Sequence, residues 1–413
     1  MFQERSLPGG RPGALVRRSL PLLGPAFVTA IAYVDPGNFA TNLTAGTTYG
    51  YLLVWVVVVA NLMAMLVQYL SAKVGIATGA SLPALCREHF PRPVSRGLWV
   101  QGEVVAIATD VAEVVGGAIA LQLLFGLPLL VGGVITAVVA FLLLLVQNRG
   151  HRPFEYAITG LLAVILVGFV YDLARSGLEP LALVEGTVPR FDGPDSILLA
   201  AGMLGATVMP HAIYLHGALT STRYGRPHER ERAALLRSQR VDVVLAMGIA
   251  GVMNLALLVV AASALSGPEP PIDTIEGAHA ELGATLGPVA ALLFALALLA
   301  SGFASSSVGT LAGQVVMEGF LRVRIPLTLR RLVALVPAVA VLAAGVDPTR
   351  ALVLSQVVLS FGIPFALVPL VLFTARRDVM GSLVNRRTTT VAAVVVAAAV
   401  IALNVALVGL TVT

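Results

Sequence analysis

A single cysteine, Cys86, occurs in 413 residues. One thiol makes an intrachain disulfide impossible and rules out a thiolate-built metal cluster or haem motif. Cys86 is expected to behave as a small buried apolar residue. Charge is scarce as well: Asp, Glu, Lys and Arg make up 12% of the chain, against about 25% in soluble domains, and a water-soluble fold is excluded on that ground. There is no Walker A loop, no GxGxxG followed by the matching acidic residue, no HExxH and no nucleophile elbow. Nothing therefore marks nucleotide-driven or hydrolytic chemistry; the chain is not read as an enzyme, and no cofactor is implied. The first residues lack the apolar core and small-residue cleavage site of a signal peptide. Residues 1–19 are expected to form a polar, basic cytoplasmic tail.

What the chain has in abundance is apolar length. Hydrophobic residues make up 57%, in runs that approach the roughly 20 residues needed to cross a bilayer. Eleven spans are expected in an all-α membrane domain over residues 20–413: Leu20–Tyr49, Tyr51–Val74, Leu98–Phe125, Pro128–Gln147, Phe154–Ala174, Ser196–Thr222, Val241–Ser266, Ala284–Glu318, Leu329–Gly345, Arg350–Thr374 and Val391–Val412. Basic residues test this division. With the N-terminus inside, all of the 27 Lys and Arg residues but Arg175, Arg190 and Arg350 fall in cytoplasmic segments, as the positive-inside rule requires. A shift by one span destroys the alternation. An odd number of spans puts the C-terminus outside. Basic residues confined to such loops set topology and give no sign of a nucleic-acid partner; the bilayer is the expected partner, with no obligate protein partner indicated.

The first and sixth spans are interrupted in the same way. One contains "DPGN" at Asp35–Asn38, the other "TVMPHAIYLHG" at Thr207–Gly217. Proline removes a backbone donor and disrupts the preceding turn, and glycine relaxes the chain. The freed backbone groups need partners that lipid does not supply. Breaks at matching positions in two halves point to inverted repeats with a binding site at mid-membrane. The repeats are spans 1–5 (about 20–175) and 6–10 (about 196–375), with an extra span at about 391–412.

A carboxylate at mid-span is costly, about 2.5–3.5 kcal/mol on insertion scales, and usually faces a cavity. Asp35 is such a residue, and Asn38 follows it across the break, which suggests a cation site built from oxygens. Met209 directly precedes Pro210 at the second break. Its thioether is a soft donor from which Mg²⁺ and Ca²⁺ gain little, so carboxylate, amide, carbonyl and thioether together favour a divalent transition metal. The third span carries "EVVAIATDVAE" with Glu103, Asp110 and Glu113. Asp110 and Glu113 share a helix face and suggest a proton relay or an ion pair with Arg330 or Arg331, which are compatible readings. His211 and His216 flank the second break and titrate in a range suited to proton transfer, or else serve as structural histidines. Asn61, Gln68, Asn254 and Gln356 are interhelical hydrogen-bonding groups or pathway lining. The stretch "SGFASSSVGT" at Ser301–Thr310 is read as close helix packing, with a sodium site as the other possibility.

With these motifs in spans one and six, the chain resembles the natural resistance-associated macrophage protein (Nramp) family of divalent-metal transporters. "GPAFVTAIAYVDPGNFATN", "ATDVAEVVG" and "GATVMPHAIYLHG" carry the resemblance. It implies a LeuT-like fold and import of Mn²⁺ and Fe²⁺, with Cd²⁺ and Co²⁺ also carried, often with protons, across a bacterial-type plasma membrane. It also implies that Asp35, Asn38 and Met209 are metal ligands, that Ala32 and Ala206 offer backbone carbonyls, and that Gln356 approaches the ion. Asp35, Asp110, Glu113 and His211 match residues associated with proton movement, continued by Glu103, Arg330 and Arg331. Ala212 departs from the pattern, since many members have Asn there; the hydrogen bond it would make beside the site is missing. The rival readings are a sodium-coupled amino-acid symporter on the same scaffold, a passive metal channel, and a non-transporting sensor.

Overall fold

The computed structural model describes residues 24–147, 151–266 and 272–412; the expected tail, residues 1–19, lies outside them. Every regular element among the described residues is helical. The first half comprises α1 (Pro25–Ala30), a 3-10 turn (Ile31–Val34), α2 (Pro36–Tyr49), α3 (Val54–Thr78), α4 (Leu82–His89), α5 (Arg92–Phe125), α6 (Leu129–Gln147) and α7 (His151–Arg175). After α8 (Pro180–Glu185), the second half comprises α9 (Gly193–Thr207), α10 (Pro210–Tyr224), α11 (Glu229–Ala264), α12 (Ile275–Thr285), α13 (Pro288–Leu321), α14 (Leu327–Ala343) and α15 (Pro348–Ala375). The short α16 (Arg377–Met380) leads to α17 (Arg387–Val412).

Nine stretches among the described residues are long and apolar enough to cross a membrane, with α9 and α10 counted together. The remaining two expected spans correspond to the broken α1–α2 segment and to α14, a helix of 17 residues. One boundary needs correction. The eighth span was placed at Ala284–Glu318, but the chain turns at Gly287, where φ is 100°, and the long helix starts at Pro288. Residues Ile275–Thr285 form the separate helix α12. The apolar stretch runs on through residues 284–287, while Glu276, His279 and Glu281 mark the rest of α12 as more polar than the span it precedes. The helices α4, α8 and α12 were not expected; each is too short to announce itself by periodicity.

The polarity of the molecule runs from inside to outside in reverse of a soluble protein. On α6, Leu130, Val134, Val138, Leu142 and Leu145 are exposed along one face; Val391, Val395, Val405 and Val408 are exposed on α17. Polar side chains such as Asp35, Asn38, Asp110, Glu113 and His211 are buried. An apolar rim around a polar centre is what lipid selects.

Helices meet at small residues. The α5–α13 interface is the most extensive, and there Gly302 lies so near α5 that a Cβ would sit 2.9 Å from Gly117 Cα. The "SGFASSSVGT" stretch packs closely on α5 at this point. The second broken helix is held as tightly: a Cβ at Gly205 would fall 2.0 Å from Gln356 O and 2.8 Å from Ser360 N, both backbone atoms of α15. Gly205→Ala is therefore expected to lower stability by about 1–3 kcal/mol, the usual range for overpacking, despite alanine's better helix propensity. Thermal unfolding followed by size-exclusion chromatography tests this; a variant as stable as the parent would contradict the contact.

Candidate metal site

Both breaks are built the same way: an extended residue precedes a proline that occupies the first position of a new half-helix, where its missing N–H costs nothing. At the first break Asp35 (φ −81°, ψ 170°) is the N-cap of α2. Its Oδ1 accepts from the Asn38 backbone N–H and from Asn38 Nδ2, both at 2.8 Å. At the second break Met209 (φ −72°, ψ 125°) precedes Pro210 and α10, without a side-chain cap. The end of α1 unwinds into the 3-10 turn that holds Ala32.

One hydrogen bond joins the two breaks. Asn38 Nδ2 donates to Ala206 O at 2.9 Å, across 168 positions of sequence. Because both acceptors of Nδ2 are oxygens, the orientation of the amide follows: Oδ1 points away from Asp35 Oδ1 and Ala206 O. Gln356 reaches the same place from α15. A Cβ on Gly37 would lie 1.9 Å from Gln356 Nε2, so only glycine admits that amide beside the break.

Asp35, Asn38, Met209 and Gln356 are each 0% exposed. Among the described residues Asp35 Oδ2, Asn38 Oδ1 and Gln356 Oε1 are buried oxygens without a hydrogen-bond partner. An unpaired buried acceptor costs about 1–3 kcal/mol, more when charged. Three such oxygens on residues at or against the breaks suit a desolvated cation. No group of three His, Cys, Asp or Glu among the described residues offers a second metal site. Other freed backbone oxygens are already used: Tyr33 O accepts from Asn254 Nδ2 at 2.7 Å and Val34 O from Ser301 Oγ at 2.6 Å.

A polar track leaves the second break along the α5–α13 interface. His211 Nδ1 lies 3.3 Å from Thr109 Oγ1, next in sequence to Asp110. Glu113, one turn further, packs on Gly309, where a Cβ would meet Oε2 at 2.7 Å. One turn along α13, Gly313 lies under Arg330, whose Nη2 is 3.3 Å from Glu103 Oε2. The structure thus gathers His211, Asp110, Glu113, Glu103 and Arg330 along neighbouring helices, with glycines on α13 making room for the charged heads. The side chain of Arg331 lies outside the described ones. Arg330, one of the two arginines weighed as a partner for the Asp110–Glu113 face, pairs with Glu103.

His216 belongs to a separate hydrogen-bonded chain. Its Nδ1 is 2.8 Å from Gln68 Oε1, and Gln68 Nε2 donates to Tyr33 OH at 2.5 Å. Ala212 is fully buried in the core, as is Cys86. Two buried acids escaped the sequence reading. Asp242, on α11, accepts the Ala26 N–H at 3.2 Å and so caps α1; Asp172, on α7, is buried near its end. An acid of unexplained charge within an apolar run was the available signal for both.

Two broken helices packed around a buried, polar mid-span junction define a multi-pass integral membrane transporter of the LeuT-like fold. The chain belongs to the natural resistance-associated macrophage protein-like (Nramp) family, whose model matches residues 26–410. It is 50% identical over 393 residues to the divalent metal cation transporter MntH of Bacillus subtilis, covering 95% of this chain and 92% of that one. The MntH of Deinococcus radiodurans is 53% identical over 390 residues, covering 94% and 89%. Among solved structures, a mutant of the Eremococcus coleocola manganese transporter superposes with a TM-score of 0.85 at 32% identity, covering 97% of this chain and 88% of that one. Mhp1, a nucleobase-cation-symport-1 family transporter, shares the fold alone, with a TM-score of 0.59 at 16% identity over 86% and 78% of the two chains.

Proposed function

We propose that this chain imports divalent transition metal ions, Mn²⁺ and Fe²⁺ foremost and Cd²⁺ and Co²⁺ as well, in a proton-linked cycle of alternating access. The observation that carries the reading is the Asn38–Ala206 bond, which brings the two breaks into one junction while Asp35 Oδ2 and Asn38 Oδ1 stay unpaired. In this reading Asp35, Asn38, Met209 and Gln356, with the carbonyls of Ala32 and Ala206, exchange the ion's water for protein donors. The relatives named as divalent metal cation and manganese transporters support the cargo. Hard cations bind oxygen alone, whereas Met209 adds a soft donor.

Protons enter the reading through Asp35 and the His211–Asp110–Glu113–Glu103–Arg330 track, with Arg331 as its expected continuation. Alternating access requires contacts that open on one side at a time. Candidates lie at the ends of α1 and α10: the Asp242 cap on α1, the Tyr33–Gln68–His216 chain, and the Arg223–Glu155 ion pair at 2.8 Å. The N-terminus is placed inside and the C-terminus outside on the distribution of basic residues, in one membrane domain of two repeats and an extra span.

The test is uptake of Mn²⁺, Cd²⁺, Mg²⁺ and Ca²⁺ into proteoliposomes, with internal pH recorded in parallel. Concentrative Mn²⁺ and Cd²⁺ uptake driven by an inward proton gradient is expected, with little Mg²⁺ or Ca²⁺ entry. Metal-independent amino-acid uptake would overturn the reading, and uptake that only equilibrates would make the protein a channel.

A further inference from the structure

A cavity of about 390 Å³ lies away from the metal site, between the α3–α4 turn, the end of α10 and the end of α13. Its lining includes Ser81, Arg87, Thr222, Glu318 and Arg322. Arg87 is held in place by the end of α13: its Nη1 donates to Gly319 O and, at 3.4 Å, to Glu318 O. The nearest carboxylate to its Nη2 is Glu88, at 3.9 Å and half exposed. Glu318, which also lines the cavity, directs its Oε1 to Arg324 Nε at 2.8 Å and to Arg324 Nη2.

The second guanidinium is placed in an unusual way. Arg322 ends α13 with φ of 59°, the single positive φ among described residues other than glycine. Helices commonly end with glycine in that conformation, because a Cβ is disfavoured there. Burial and then the Arg322 charge hold the Arg87 guanidinium below its ordinary value, so the two cations feel each other. A third lies at the rim: a Cβ on Gly79, which also lines the cavity, would meet Arg226 Cγ at 2.6 Å. Hydroxyls complete the set. Ser81 Oγ accepts the Ala84 N–H at 3.4 Å, which leaves its own O–H to donate.

We propose that this cavity binds a phosphate group carried on a small organic moiety, with Arg87 and Arg322 as its paired cationic partners and the Ser81 and Thr222 hydroxyls as further donors. Guanidinium groups match phosphate oxygens with parallel N–H donors. The volume falls in the range of small-molecule sites, about 300–1,000 Å³, and exceeds what a bare oxyanion fills. The carrier is either a lipid headgroup or a soluble phosphomonoester; the chemistry recognised is the same. Because the ligand would bridge α4, α10 and α13, occupancy holds α10 in the arrangement seen here.

The experiment uses the full chain and reads binding directly, apart from metal transport. In phosphatidylcholine nanodiscs, glycerol 3-phosphate is titrated while thermal unfolding is followed, with glycerol as control. In parallel, native mass spectrometry measures retention of phosphatidylglycerol against phosphatidylcholine. Saturable stabilisation by glycerol 3-phosphate assigns a soluble ligand; selective retention of phosphatidylglycerol assigns a lipid. In either case Arg87→Gln and Arg322→Gly are expected to weaken binding at least about tenfold. Glycine accepts the positive φ, so Arg322→Gly removes the charge and leaves the turn intact; Arg322→Asn, which also tolerates that conformation, serves if the glycine variant unfolds. Binding of neither probe, or binding indifferent to both arginine substitutions, overturns the proposal.

Discussion

Asp35→Ala is expected to reduce Mn²⁺ uptake into proteoliposomes by at least roughly 100-fold, since even outer-shell substitutions at metal sites cost about 10–100-fold. The size of the effect follows from two jobs performed by one carboxylate. Oδ1 caps α2 through the Asn38 N–H and orients the Asn38 amide. Oδ2 is buried without a partner and belongs to the carboxylate that supplies negative charge to an ion at the junction in the proposed reading. Removing the side chain ends both jobs, so alanine alone does not say which mattered. Asp35→Asn separates them. Asn and Asp are about equally good N-caps, so the half-helix persists while the charge is gone. Asp35→Asn is therefore expected to fold with near-parental stability and still fail to transport. Near-normal Mn²⁺ flux through Asp35→Asn would remove the charge from the mechanism and with it the central claim.

The same residue shows how far the sequence could be read. An acid beside proline and glycine in an apolar span is conspicuous, because each of the three is locally expensive there. The second break was visible for the same reason, and the scarcity of charge made the basic loops legible as topology. What stayed hidden depends on which helix meets which. Gln356 is visible in the sequence as an in-span amide and through the family resemblance, but its contact at the first break depends on the space left by Gly37. The pairing of Arg330 with Glu103 and the capping of α1 by Asp242 are likewise contacts between distant segments, which helical periodicity does not specify. Arg322 is hidden more deeply still. Its conformation belongs to glycine, and no pattern in the sequence announces that an arginine adopts it.

In the proposed reading, Met209 sets which ions the junction prefers. Met209→Leu is expected to raise competition by Ca²⁺ and Mg²⁺ against Mn²⁺ uptake about tenfold, equivalent to about 1.4 kcal/mol of lost discrimination, and to weaken Cd²⁺ binding most of all. Leucine is the informative replacement. Met209 is fully buried within the main core, so alanine would also open a cavity worth about 2–5 kcal/mol, and a fall in uptake could then reflect folding. A methionine-to-leucine exchange conserves volume and ordinarily costs less than about 1.5 kcal/mol. It removes the sulfur and little else. The oxygens of Asp35, Asn38 and Gln356 remain, and oxygens alone suit hard cations as well as Mn²⁺. The expected change is therefore in the ranking of ions: Ca²⁺ and Mg²⁺ gain relative to Mn²⁺, while Cd²⁺, the softest of the four, loses most. If Met209→Leu leaves the Ca²⁺ competition curve where it was, selectivity resides in the oxygen geometry and the thioether is packing.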